Sequence, residues 1–204
     1  MSTTSSGSTG RHKEGARRLP RVERREAILD GATQAFARAG FAATSMPEIA
    51  EASGITPIIV YRHFDSKEEL YRATLERVST RLTADLEAGP EPGGFGIGAR
   101  SVLAAARHDP DGFHLLWRHA AREPLFSSYS AELREWAVGA TQRSMGERVP
   151  PDALQWAAHA VVGYLVEAVL NWLEFGDPQR DALFVKATNA AMRAGVKVWS
   201  KPNA

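Results

Sequence analysis

The stretch Thr44-Ser45-Met46-Pro47-Glu48-Ile49-Ala50-Glu51-Ala52-Ser53-Gly54-Ile55-Thr56-Pro57-Ile58-Ile59-Val60-Tyr61-Arg62-His63-Phe64 carries two helix starts in quick succession. Ser45 followed by Glu48 is a capping box, in which the hydroxyl takes the Glu48 N–H and the carboxylate reaches back. Thr56 before Pro57 sets a capping hydroxyl ahead of a proline at the first helical position, where the missing N–H costs nothing. Gly54 stands between them, where a tight inter-helix turn wants positive φ. Ile49, Ala50, Ile55 and Val60 supply apolar contacts between the helices, and small Ala50 allows a close approach. A support helix, a sharp turn and a second helix with a free face are the parts of a helix-turn-helix, whose second helix enters a major groove about 12 Å wide. Spacing alone leaves a second reading open, since a helix-loop-helix of this length also occurs in ordinary bundles.

Upstream, Ile28, Leu29, Ala32, Ala35, Phe36 and Ala39 recur at three and four residues, and Gly40 closes the segment as a C-terminal glycine would. Downstream, Ser66 and Glu69 form a second capping box opening a longer helix through Leu70, Leu75, Val78 and Leu82. The run Gly89-Pro90-Glu91-Pro92-Gly93-Gly94 reads as a loop, and helical spacing resumes near Ile97. Breaks follow at Asp109-Pro110, Glu123-Pro124, Pro150-Pro151 and Gly176-Asp177-Pro178. With no period-two strand and no internal repeat, the pattern predicts an all-α chain of about nine helices.

The front of the chain has two compositions. Met1 to Gly10 are almost all Ser, Thr and Gly, too polar to offset chain entropy, and predict disorder. Arg11, Lys13, Arg17, Arg18, Arg21, Arg24 and Arg25 then face only Glu14 and Glu23, although the whole chain carries a net charge of +1. Such a block reads as a solvated arm or, beside a DNA-binding element, as a phosphate attractor.

The 44% apolar content of 204 residues suffices for a sizeable core. Without cysteine there are no disulfides, thiolate zinc sites or cysteine nucleophiles. No His or carboxylate spacing suggests a metal, and no cofactor motif is present. The longest apolar run, Ala160 to Val166, is far short of the ~18 residues of a membrane span, so a soluble, unexported, cytoplasmic protein is expected.

From Arg25 to Leu75 the chain resembles the N-terminal domain of the TetR family of repressors. The resemblance lies in Ala35-Phe36, Ala39-Gly40-Phe41, Thr44-Ser45, Ile49-Ala50, Gly54-Ile55-Thr56, Tyr61-Arg62-His63-Phe64 and Lys67-Glu68-Glu69-Leu70. It implies a homodimer on pseudo-palindromic operator DNA, released by a small hydrophobic or aromatic effector. The division implied is a basic arm over 1–20, a helix-turn-helix head over 21–65 and a helical ligand-binding and dimerisation body over 66–204. It places Thr44, Tyr61, His63 and Lys67 on phosphates and Thr56 at the start of the recognition helix, while Phe41 and Phe64 read as core. The chain departs from the family pattern at Pro57, Ile58 and Ile59, leaving Arg62 as the long donor there, for a guanine edge or a phosphate.

In the remaining chain, Trp156, Ala160, Tyr164, Ala168 and Trp172 recur four apart and predict a helix buried on more than one side. Gln155, His159, Glu167 and Asn171 form a polar line on that helix, either at an interface margin or toward a ligand. The last helix offers Leu183, Phe184, Ala187, Ala190, Ala191, Ala194 and Val198; by resemblance these two helices pair with their copies in a second subunit. Phe113, His114, Trp117, Arg118, His119, Phe126, Tyr129 and Trp136 form an aromatic core or line an effector cavity, which Tyr164 would join. Competing readings are a helical enzyme using His159 with Glu167 or His114 with Glu123, and an architectural DNA-binding dimer without a ligand.

Overall fold

A computed structural model describes residues 20–88 and 98–200. Arg11, Lys13, Arg17 and Arg18, nearly all of the expected arm, and the loop from Gly89 through Ile97 lie outside the described residues. Nine α-helices and no strand are present among those described.

Helix α1 (Arg21–Ala43) buries Ile28, Leu29, Ala32, Ala35 and Phe36 on one face. At Gly40 the backbone turns to φ 76°, a left-handed value that only glycine adopts cheaply, so the regular helix ends where the sequence predicts and one further turn follows. Helix α2 (Met46–Ala52) opens on the expected capping box: Ser45 Oγ accepts the Glu48 N–H at 3.4 Å, and the Glu48 carboxylate accepts the Ser45 N–H at 2.7 Å. The Ser45 hydroxyl also donates to that carboxylate at 2.7 Å, and this bond first, then the Ser45 N–H, holds the Glu48 carboxyl below its usual range. Gly54, at φ 65°, makes the turn into helix α3 (Pro57–Tyr61).

Two capping expectations need correction. The Thr56 hydroxyl makes no capping bond, because the Ile59 N–H it would serve bonds the Thr56 carbonyl at 2.9 Å. At helix α4 (Lys67–Ala88), Ser66 Oγ takes the Glu69 N–H at 3.1 Å, but the Glu69 carboxylate reaches the Asp65 N–H at 2.7 Å, one residue earlier than a capping box requires.

Helix α4 ties the molecule together, with Leu70, Tyr71, Thr74, Leu75, Val78, Leu82 and Leu86 buried along its length. It packs on α1, and Arg77 binds Glu26 at 3.2 Å, Asp30 at 2.7 Å and the Thr33 hydroxyl at 3.0 Å. It also meets α5 (Ala99–His108), α6 (Pro110–His114) and α7 (Ser127–Met145). A single π turn, Leu115–His119, follows α6 directly.

Helix α8 (Pro151–Phe175) packs on α5, α7 and α9 (Asp181–Trp199). Its buried side is Ala157, Ala158, Val161, Val162, Leu165, Val166, Val169 and Leu170. That corrects the expected stripe: Trp156 and Tyr164 are 50% and 45% exposed, and Ala160 is exposed with them. Trp172 does pack inward, stacked on Phe184, and its Nε1–H donates to Asp181, which also holds Arg107 in two bonds. Among the described residues α8 alone is long and apolar enough to cross a membrane, by length and composition.

Candidate nucleic-acid interface and ligand cavity

Helix α3 is anchored by one residue. Val60 is fully buried, which turns Ile58 outward to 67% exposure and Tyr61 to 52%, with Thr56, Pro57 and Arg62 also exposed and Ile59 half-buried. Successive residues rotate by about 100°, so Val60 facing the core sends Ile58 to the far side. This surface presents an apolar tip, a phenol and a guanidinium.

Cations gather beside it. Half-buried His63 is held below the ordinary imidazole value of 6.5, first by desolvation and then by the positive charge of Arg21, Arg24 and Arg25 on the first turns of α1. The Arg25 guanidinium lies 4.9 Å over the Phe64 ring.

Thr44 and Lys67, expected on phosphates, turn toward the end of α1. The kink at Gly40 leaves carbonyls at the end of α1 without intrahelical donors. Thr44, only 3% exposed, gives its hydroxyl proton to the Gly40 carbonyl at 2.7 Å. Lys67 Nζ donates to the carbonyls of Phe41 at 2.7 Å and Thr44 at 2.8 Å and lies 4.5 Å over the Phe41 ring. Both residues close the helix end.

Deeper in the molecule lies a cavity with room for roughly one water, about 20 Å³. Helix α4 lines it with Leu82 and Leu86, α5 with Val102, and α6 with Phe113. Trp117 of the π turn, Ala137 of α7, and Val162, Leu165 and Val166 of α8 complete the wall. Trp117 Nε1–H is buried and without a hydrogen-bond partner.

Of the sequence-derived ligand candidates, Phe113 and Trp117 line this cavity. The others are placed elsewhere. Phe126 packs with Tyr71 and Phe41 where α4 meets α1. The Tyr129 hydroxyl meets Glu76 at 3.4 Å, and Trp136 packs half-buried against the core. His114 lies against His119 with its imidazole held low, chiefly by burial and then by His119. Arg118 pairs with Glu167 at 3.3 Å, and Asn171 donates to the Glu167 carbonyl. His159 is half-buried on α8, while Tyr164 faces a hollow between α8 and α9. The aliphatic wall residues carry no sequence signal apart from core periodicity. Among the described residues no group of three His, Asp or Glu side chains is placed to hold a metal.

His119 makes a connection that sequence reasoning missed. Its Nε2–H donates to the Ala37 carbonyl on α1 at 2.9 Å, across the kink from Gly40, where a methyl group would lie 2.9 Å from the His119 ring.

Residues 28–74 match the family model described as bacterial regulatory proteins, tetR family. The chain is 47% identical over 60 residues to the HTH-type transcriptional activator FasR of Mycolicibacterium smegmatis, covering 29% of this chain and 27% of that one. It is 40% identical over 73 residues to the HTH-type transcriptional repressor ComR of Escherichia coli, covering 36% and 35%. The match thus spans about a third or less of these relatives. A solved TetR-like transcriptional regulator from Rhodococcus sp. RHA1 superposes with a TM-score of 0.71 at 22% identity, covering 88% of this chain and 96% of that one. A tetR-family regulator from Streptomyces coelicolor gives 0.63 at 25% identity, covering 89% and 85%. The N-terminal helices thus match the sequence of the tetR family of bacterial regulatory proteins over residues 28–74, and the described length has a TetR-like fold.

Proposed function

We propose that the chain is a homodimeric, cytoplasmic transcriptional repressor that binds a pseudo-palindromic operator through α3 and is released by a small hydrophobic or aromatic effector. Helices α1 to α3 serve as the DNA-binding head, and α4 to α9 as the ligand-binding and dimerisation body, divided at Asp65-Ser66. The observation that carries this reading is the outward face of Ile58, Tyr61 and Arg62 on a helix pinned by Val60, flanked by Arg21, Arg24, Arg25 and His63. Hydroxyl, imidazole and guanidinium groups serve phosphate oxygens, while the first turn of the helix meets base edges.

An apolar face that the monomer leaves exposed supports the dimer. On α8 it holds Trp156, Ala160, Tyr164 and Phe175; on α9 it holds Leu183, Ala187, Ala191, Ala194 and Val198, all exposed. A face of that kind marks an association surface. Regulation by ligand is supported by α4, whose Leu70 and Leu75 sit in the core near the head while Leu82 and Leu86 line the cavity. We take the chain as a binding protein rather than an enzyme, since Glu167, the expected partner of His159 in catalysis, is held by Arg118.

Genomic fragments selected on the purified protein, then footprinted, test the reading. Two symmetric half-sites about 34–36 Å apart are expected. Tight binding of a monomer to one unsymmetrical half-site would overturn it, as would turnover of a small molecule without DNA.

A further inference from the structure

His114 and His119 are five residues apart, a spacing that sets side chains about 140° apart around a regular α-helix. The π turn Leu115–His119, whose hydrogen bonds span five residues, brings the two rings together instead, with their centres 5.6 Å apart. Both rings meet the end of helix α1. His119 Nε2–H donates to the Ala37 carbonyl at 2.9 Å, while its Nδ1 faces Gly40, where a methyl group would lie 2.9 Å away. The same carbonyl acts on His114.

Charges reach His114 from several elements. His119 and Arg118 of the π turn oppose a proton on it, Glu174 of α8 favours one, and Asp111 of α6 feels its charge. On α1, Arg38 is exposed and acts on Glu48. On α5 and α4, which also pack on α6, Arg107 is held by Asp181 and His108 by Asp85. Burial weighs most and His119 next, so the His114 ring is held below the ordinary imidazole value of 6.5. The packed arrangement therefore keeps its full stability above 6.5 and loses it as pH falls from 6.5 toward the depressed value. Acid favours whatever arrangement gives His114 to water and takes it away from His119.

A movement at this turn has reach. Trp117 lines the cavity, Arg118 pairs with Glu167 of α8 at 3.3 Å, and His119 holds α1, which packs on α2 of the head. We propose that His114 and His119 form a proton-operated release, in which a proton on His114 parts the two rings, His119 leaves Ala37 and Gly40, and the head is no longer held to the π turn. Operator affinity falls as a result. That last step rests on the reading of the chain as a DNA-binding regulator, whereas the parting of the rings does not.

The contact is read first without DNA. In full-length protein labelled at histidine and glycine, the nuclear Overhauser effect between the His119 Cε1–H and the Gly40 α-protons reports their proximity whatever the charge on the ring. The Cε1–H shift of His114, identified by its loss in His114→Gln, reports its titration. The Overhauser effect is expected at about pH 7.5, where imidazoles are largely neutral, and should vanish in the wild type as His114 titrates. In His114→Gln it should persist to about pH 5.5, since no proton is taken up at that position. Operator binding is then measured at constant ionic strength in His63→Gln, because His63 titrates as well. Below 6.5 the affinity should fall by up to about tenfold per pH unit, the worth of one proton, and should stay level once His114→Gln is added. Should His114→Gln fail to fold, coincidence of the two changes in the wild type still decides. The proposal is overturned by a contact absent at about pH 7.5, a contact that outlasts the titration of His114 or is lost equally in His114→Gln, or a His114 that takes no proton above about pH 5.5. An affinity of the His63→Gln protein that stays level below 6.5 overturns it too. A chain that binds no DNA sinks the regulator reading and with it the operator step, while the contact of His119 with Gly40 decides the rest.

Discussion

Ile58 is an isoleucine that the fold does not use: it stands 67% exposed while Val60, two residues on, is fully buried. On the first turn of a DNA-reading helix its methyl groups suit the C5-methyl of thymine, which no other base offers. A thymine opposite Ile58 is therefore expected in each half-site. Its replacement by uracil should weaken wild-type binding about fourfold per half-site, the worth of roughly 0.8 kcal/mol for one buried carbon. The same replacement should leave Ile58→Ala, expected to fold because Ile58 is exposed, almost unaffected; equal sensitivity of the two proteins would reject the contact. His63 gives a second expectation. Burial first, and then Arg21, Arg24 and Arg25, hold its imidazole below 6.5 in the free protein. Because the folded value is depressed, its contribution to stability is complete above 6.5 and is lost as pH falls through 6.5 toward the folded value. A phosphate beside it favours the proton, so DNA binding should take one up. Affinity should rise as pH falls below about 7, and His63→Gln should remove that dependence. Binding titrations at constant ionic strength would show it, and an identical pH profile in the variant would exclude His63 from the interface.

The end of α1 shows how an element divides labour among residues that a sequence motif treats alike. Lys67 and Thr44 resemble phosphate contacts of the family, yet both donate to carbonyls that the Gly40 kink exposes. Lys67→Met should therefore lower stability by about 1–3 kcal/mol through unpaired carbonyls. The slope of log affinity against log salt should stay unchanged, whereas a lost phosphate contact would reduce it by about one. At the same end, His119 of the π turn holds the Ala37 carbonyl, while Trp117 two residues earlier lines the cavity. One short turn thus touches both the cavity and the head. Packing of α1 on α2 is equally specific, since a methyl group on Gly31 would lie 2.8 Å from the Ser53 backbone nitrogen. Much of this was legible beforehand. Ser45, Glu48, Gly54 and Pro57 mark their elements by chemistry local to the chain, and periodicity located α1, α4, α8 and α9. The direction of a side chain out of a kinked helix was not legible, because Lys67 finds its acceptors more than twenty residues away. Nor were the cavity walls: Leu82, Val162 and Leu165 recur as any core residue does, and only packing leaves a space between them.

At the scale of the molecule the apolar face of α8 and α9 and the spacing of two heads are one question. A single head offers a helix of five residues, too small a surface to choose a site alone. In the proposed dimer two heads would read two half-sites, and α4 would fix their separation because it runs from beneath α1 to the cavity wall. A ligand that widens the cavity changes operator affinity only insofar as it prefers one separation over another. All of this requires the dimer. Ala187 and Ala191 lie exposed on α9 between Leu183 and Val198, and small residues there let a partner helix approach closely. Ala187→Arg places a large cation in the middle of that face without entering the monomer core. The variant should retain wild-type helical content but elute and scatter light as a monomer of about 22 kDa. Losing the second head removes one set of contacts and the joining of two sites in one molecule, so affinity for the full operator should fall at least about a hundredfold. Binding to an isolated half-site should not change. A variant that remains dimeric, or a monomer that keeps full operator affinity, would move the association surface away from α8 and α9 and separate operator recognition from dimerisation.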